Sequence, residues 1–94
     1  MIFKLHPEAW AEYREAIMFY GRAAERFTGA VETAIAEIIR RPERFRELEP
    51  GVRICRVSKF PYSILYAVKE QNVTVLALKH DRRNPDYWRG RLSP

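Results

Sequence analysis

The chain has 94 residues, 47% of them hydrophobic and 13% aromatic, and a net charge of +5. That length suits one compact domain spanning 1–94, and the aromatic content argues against a disordered chain. No apolar run approaches the roughly 20 residues needed to cross a bilayer, and a single cysteine, Cys55, excludes an internal disulfide framework.

The opening stretch, MIFKLHPEAW, lacks the basic-then-apolar layout of a signal peptide. A reducing cytoplasm is therefore the expected compartment. Within it, residues 2–6 alternate, with Phe3 and Leu5 opposing Ile2, Lys4 and His6. This suits a short half-buried strand. Pro7 can then start a helix, because proline is tolerated in the first turn. Glu8, Glu12 and Glu15 lie early in that helix, where the dipole favours acids. Ala9, Tyr13, Ile17 and Tyr20 form its apolar stripe, and Gly21 breaks or bends it. A second helix is expected over roughly 23–41, with Phe27, Val31, Ala34, Ile35 and Ile38 on one face. Arg40 and Arg41 suit its C-terminal end, and Pro42 stops it.

After Pro42 the period changes. The runs 52–57, 62–68 and 73–78 are rich in Val, Ile, Leu and Tyr and are joined by short connections. Short connections make antiparallel neighbours. The expected order is β-α-α-β-β-β, an α+β fold with a helical hairpin on one face of a mainly antiparallel sheet. On the first strand of this meander Arg53, Cys55 and Val57 point one way, and Ile54 and Arg56 the other. On the next, Tyr62, Ile64 and Tyr66 share a face.

Charge is unevenly placed. Residues 1–41 carry six Lys/Arg and six Glu, whereas 42–94 carry eleven Lys/Arg against six Asp/Glu. A one-sided positive field suits a polyanionic partner: RNA, DNA or an acidic protein segment. No metal-ligand spacing, phosphate-binding glycine loop or nucleophile triad is present. No cofactor or metal is expected. Helix-face glutamates read as solvent-facing, and Cys55 as a small buried hydrophobe. Cationic and aromatic groups are the better candidates. Lys79 and His80 end the last strand, Arg82 and Arg83 follow, and Asn84-Pro85 makes a turn. Trp88 is expected to pack back onto the core, while Tyr87 is open between packing and base stacking. His80 can be a proton carrier or a strand-end histidine bonded to backbone.

These segments resemble the RelE/ParE superfamily of bacterial type II toxins over essentially the whole chain. The resemblance rests on HPEAWAEYREAIMFY, ERF, RPERF, FPYSILY and HDRRNPDYWRGR. It implies a toxin neutralised by a cognate antitoxin, acidic and folding on binding, in a hetero-oligomer with no membrane partner. The superfamily divides by target. RelE-like members cut mRNA on the ribosome with a basic surface and an aromatic hydroxyl, and ParE-like members poison DNA gyrase. Arg56 and Arg83 fall on basic positions of the nuclease set, and Tyr87 lies near its tyrosine, where Arg89 takes the direct match. Ile54 and Ser63 stand where those nucleases use Lys and Arg. The half-filled set favours the gyrase reading. A metal-independent endoribonuclease using Arg56, Arg83 and Tyr87 is the alternative, and a degenerate toxin keeping only antitoxin binding is a third. Arg53, Lys59, His80, Arg82, Arg83, Arg89 and Arg91 are the expected contacts to target or antitoxin.

Overall fold

The computed structural model describes residues 2–92. Strand β1 (Phe3–Leu5) leads into helix α1 (Pro7–Tyr20). A 3-10 turn (Gly21–Ala23) joins it to α2 (Ala24–Arg40). Strands β2 (Glu47–Glu49), β3 (Val52–Arg56), β4 (Tyr62–Lys69) and β5 (Asn72–His80) follow, and a second 3-10 turn covers Arg89–Leu92. The sheet runs β1-β5-β4-β3-β2. Its pairs are antiparallel except β1 with β5, which is parallel. The expected α+β order holds, with one addition. The three-residue strand β2 extends the sheet beyond the meander, pairing Glu47 with Arg53 and Glu49 with Val52.

Local chemistry accounts for the helix ends. His6 caps α1: its Nδ1 accepts from the Glu8 N–H at 3.1 Å, with Pro7 at the first helical position. Gly21 ends α1 at φ +51, a conformation that costs glycine little, and its N–H bonds to the Ile17 carbonyl. Helix α2 buries Phe27, Val31, Ala34 and Ile38, one stripe at helical spacing. The two helices cover one face of the sheet, where these residues meet Cys55, Val57, Ile64, Tyr66, Val73, Val75 and Leu78.

The opposite face carries a smaller cluster of Val52, Leu65, Leu76, Ala77 and Trp88. A β-bulge makes it possible. Leu65 pairs with Ala77 and Tyr66 with Val75, so Leu76 is one extra residue on β5. The insertion lets Leu76 and Ala77 both join the helix-free face before Leu78 returns to the other core. Strand β4 is consequently buried on both sides, and Ser63 to Tyr66 are all buried.

Candidate functional site

The C-terminal segment lies across the helix-free face. Trp88 is fully buried there, as its position after Pro85 suggests, and its Nε1–H donates to the Pro85 carbonyl at 2.6 Å. The segment is tied down by a carboxylate on a distant helix. Glu12 receives both Arg91 terminal nitrogens at 3.0 Å, one on each oxygen, and the Leu78 N–H at 3.0 Å. Arg83 Nη1 adds a longer contact of 3.7 Å. The side chains of Glu12 and Arg91 are only 10% and 11% exposed, so this is a bidentate ion pair with little solvent around it. Glu12 replaces a missing strand: β1 stops pairing at Leu5, and beyond it the β5 N–H at Leu78 needs another acceptor. The glutamate that the sequence places on a solvated face is thus an interior hub.

Tyr87 is enclosed by the same network. The Arg83 guanidinium sits 4.0 Å from its ring centroid and that of Arg91 4.9 Å away. Its hydroxyl is buried and has no hydrogen-bond partner among the described residues. Burial first, and then the nearby Glu12 carboxylate, pushes the phenol pKa well above its ordinary range. Arg89 pairs with Asp86 at 3.0 Å and with Glu49 of β2, which closes the tail against the sheet edge.

The other candidate residues gather at one end of the sheet, where β3 and β5 finish and β4 begins. Arg56 and Ser63 are cross-strand partners, and so are Ser63 and Lys79. All three follow the alternation of Ile54, Leu65 and Ala77 onto the helix-free face. Arg56 reaches Asp81 at 2.6 Å, the Phe60 carbonyl at 3.3 Å and Ser63 Oγ at 3.4 Å. That hydrogen bond, with the attraction of Arg56, holds the Asp81 carboxyl below the usual carboxylate range. Among the described residues Lys79 Nζ bonds only to the His80 carbonyl, at 3.2 Å. Neither Lys79 nor Arg82 forms an ion pair among the described residues. Lys59 stands on the neighbouring turn with φ +69, a left-handed conformation that is unfavourable for a lysine. An aromatic cluster below fixes that turn: Phe60 and Tyr62 lie 5.2 and 5.3 Å from Phe27. His80 stacks edge-on to Tyr62 at 5.0 Å, and its Nδ1 accepts the Arg82 N–H at 3.0 Å.

The expected site residues therefore separate. Arg56, Lys59, His80 and Arg82 belong to the sheet end, with Lys79 beside them. Arg83 is shared, paired to Glu12 and stacked on Tyr87 but with a side chain 54% exposed. Arg89 and Arg91 anchor the tail. Arg53 turns to the Glu43 and Phe45 carbonyls, at 3.0 and 2.6 Å, and holds the segment before β2. Strand β4 lies between β3 and β5, so Arg56 and Arg83 are not on adjacent strands. Sequence reasoning missed Glu12 altogether and gave Lys79 no role. For Lys79 simple alternation misleads, since it groups Lys79 with Val73 and Val75 on the helix-covered face, and only the bulge at Leu76 turns it to the other face.

A groove of about 850 Å3 lies between α2 and the outer edge of β3. Arg26, Arg44, Arg56 and Lys59 rim it, and Gly29 and Ala30 leave its helical wall low. Glu37 is its acid, already paired with Arg44 at 3.0 Å. The Cys55 thiol closes the floor, and burial pushes its pKa up to about 11, helped by Glu37. Strand β2 pairs with β3 at Val52 and Arg53, and the Arg46 carbonyl accepts the Ile54 N–H at 3.0 Å, so among the described residues no strand covers the β3 edge beyond Ile54.

No helix among the described residues is long and apolar enough to cross a membrane. No curated protein matches the chain. Among solved structures, a chain of the chromosomal ParDE toxin–antitoxin system from P. aeruginosa superposes with a TM-score of 0.61 at 21% identity, covering 85% of this chain and 95% of that one. A chain of the YoeB–YefM complex from Staphylococcus aureus gives 0.63 at 14% identity, again covering 85% of this chain and 95% of that one. At such identities the likeness is one of fold. The family model described as the ParE toxin of the type II toxin-antitoxin system, parDE, matches residues 3–85, from the first strand to the turn before the tail. The chain therefore belongs to the ParE toxin family of type II toxin–antitoxin systems, within the RelE/ParE superfamily.

Proposed function

We propose that this protein is a single-domain toxin that acts by binding rather than by catalysis, with DNA gyrase as its target. The observation that carries this reading is the state of Tyr87. RNA cleavage without a metal needs a group that takes or gives a proton near neutral pH. The Tyr87 hydroxyl is buried, and its proton is held more tightly than in a free tyrosine. His80 spends Nδ1 on a backbone N–H and one ring edge on Tyr62. Arg56 is already matched by Asp81. These engaged groups support a binding role over a proton-transfer one.

The groove beside α2 supports the antitoxin half of the reading. Its cationic rim and the short stretch of β3 edge left open beyond Ile54 suit an acidic segment that orders on binding. A supercoiling assay with purified gyrase tests the target. Inhibition with a trapped cleavage complex is expected, and undisturbed supercoiling together with mapped mRNA cuts by primer extension would replace it with the nuclease alternative. Full-rate growth on expression without the antitoxin would instead leave a degenerate toxin.

A further inference from the structure

The cations of the second half differ in what they already hold. Arg83, Arg89 and Arg91 are matched by Glu12, Asp86 and Glu49. Lys79 and Arg82 have no carboxylate partner among the described residues. Lys79 sits on the helix-free face in a row with Ser63 and Arg56, one residue from each of three neighbouring strands. Two strand spacings separate the ends of the row, roughly 10 Å, a distance two long side chains can close onto a common anion. Ser63 accepts from Arg56 and keeps its own hydroxyl proton to donate. Asp81 offsets the Arg56 charge, so the net positive charge of the row rests on Lys79, with Arg82 just past the end of β5.

We propose that this end of the helix-free face binds the phosphate backbone of duplex DNA, with Lys79 and Arg82 as its free cations and Arg56 held beside them by Asp81. The aromatic residues choose the duplex over a single strand. Single-strand binders stack bases on exposed rings. Trp88 is fully buried, and Tyr87 is covered by two guanidinium groups. Tyr62 belongs to the helix-covered face. The site offers charge without a stacking platform, which suits backbone contact with no sequence preference. The proposal deepens the gyrase reading, because it gives the toxin a direct hold on the DNA that gyrase carries.

Fluorescence anisotropy of the full chain with a labelled duplex, without gyrase, tests it. Binding at 50 mM salt is expected to weaken steeply by 200 mM. Lys79→Gln and Arg82→Gln are each expected to weaken binding roughly tenfold at 50 mM salt and to flatten the salt slope by about one. Asp81→Asn is expected to tighten binding and steepen the slope, since it frees Arg56. Lys69→Gln, at the opposite end of β4, is expected to change neither. An unchanged slope in both glutamine variants overturns the proposal, and so does tighter binding to the matching single strand. Because gyrase is absent, the outcome is independent of the supercoiling test. Duplex binding with undisturbed supercoiling removes the target reading alone, and inhibition that survives Lys79→Gln with unaltered duplex binding removes this one alone.

Discussion

The two faces of the sheet are closed by different means. On one, α1 and α2 lay apolar stripes over a broad core, with Phe27, Ile38, Ile64 and Tyr66 all at 1% exposure or less. On the other, a short tail places one fully buried ring, Trp88, on Val52, Leu65, Leu76 and Ala77. Around that ring the closure is ionic: Glu12 with Arg91 and Arg83, Glu49 and Asp86 with Arg89. Apolar burial on the first face is spread over many side chains and tolerates the loss of one. The second face depends on a few contacts that stand or fall together. It is also the face that carries the free cations, so what holds the tail in place shapes the surface next to the candidate site.

The sharpest way to break this asymmetry is Trp88→Ala. Truncating a buried tryptophan costs about 3–5 kcal/mol. A urea titration should show that loss, and hydrogen exchange should show the tail opening at Arg91 while the α2 amides keep their protection. Uniform loss of protection on both faces would mean that the tail and the helical core are one cooperative unit. Glu12→Ala comes next, at about 3 kcal/mol, because it leaves Arg91 nearly buried without its counter-charge. Replacing the pair together, Glu12→Leu with Arg91→Met, should recover most of that loss, since a buried pair often adds little over an apolar one. If the double variant is no better than Glu12→Ala, the Leu78 N–H bond rather than the ion pair is what Glu12 supplies.

Much of this architecture was legible in the chain, and the exceptions share a cause. The α2 stripe and the alternation of β3 and β4 are local patterns, so periodicity finds them. The same alternation puts Tyr62, Ile64 and Tyr66 on one face. Strand β2 was not legible: it is Glu-Leu-Glu, and only its register against Val52 and Arg53 makes it a strand. The bulge at Leu76 shifts the facing pattern by one residue with no glycine or proline to mark it. Glu12 is the clearest case. A carboxylate on an amphipathic helix reads as solvated, and the partner that buries it lies 79 residues away. Of the candidate site, residue types and rough location could be read. Which arginines were already spent on carboxylates could not, because pairing is a property of the folded chain.

The turn between β4 and β5 offers a smaller, stabilising test. Glu70 and Gln71 both have positive φ, at +52 and +68, in a two-residue hairpin. Such a turn prefers Asn-Gly, because left-handed backbone is unfavourable for residues with a long side chain. Glu70→Asn with Gln71→Gly should raise stability by about 1 kcal/mol in a urea titration. It lies at the end of the sheet away from Lys79, so duplex binding should not move. A change there would tie the two ends of the sheet together and weaken the case for a local site.

The smallest effect expected is that of the Arg56–Asp81 pair, and its pH dependence separates a surface contact from a structural one. Asp81 has a folded pKa below its unfolded value, through the hydrogen bond from Arg56 first and the surrounding cations after it. A depressed carboxylate stabilises the folded state above its unfolded pKa, near 4, and loses that contribution as pH falls through the lower folded value. Both side chains are largely exposed, at 59% and 43%, so the pair lies within the ~0–1 kcal/mol of surface bridges. Wild type and Asp81→Asn should therefore differ slightly at pH 7 in low salt. The difference should vanish once the pH falls below the lowered folded pKa and also in 1 M salt, where the screening length is about 3 Å. A difference that survives high salt would make the pair a hydrogen-bonded brace, in which Asp81 and the Phe60 carbonyl together fix Arg56 against the turn. Arg56 would then owe its position to the turn, and freeing it from the carboxylate would not strengthen its hold on an anion.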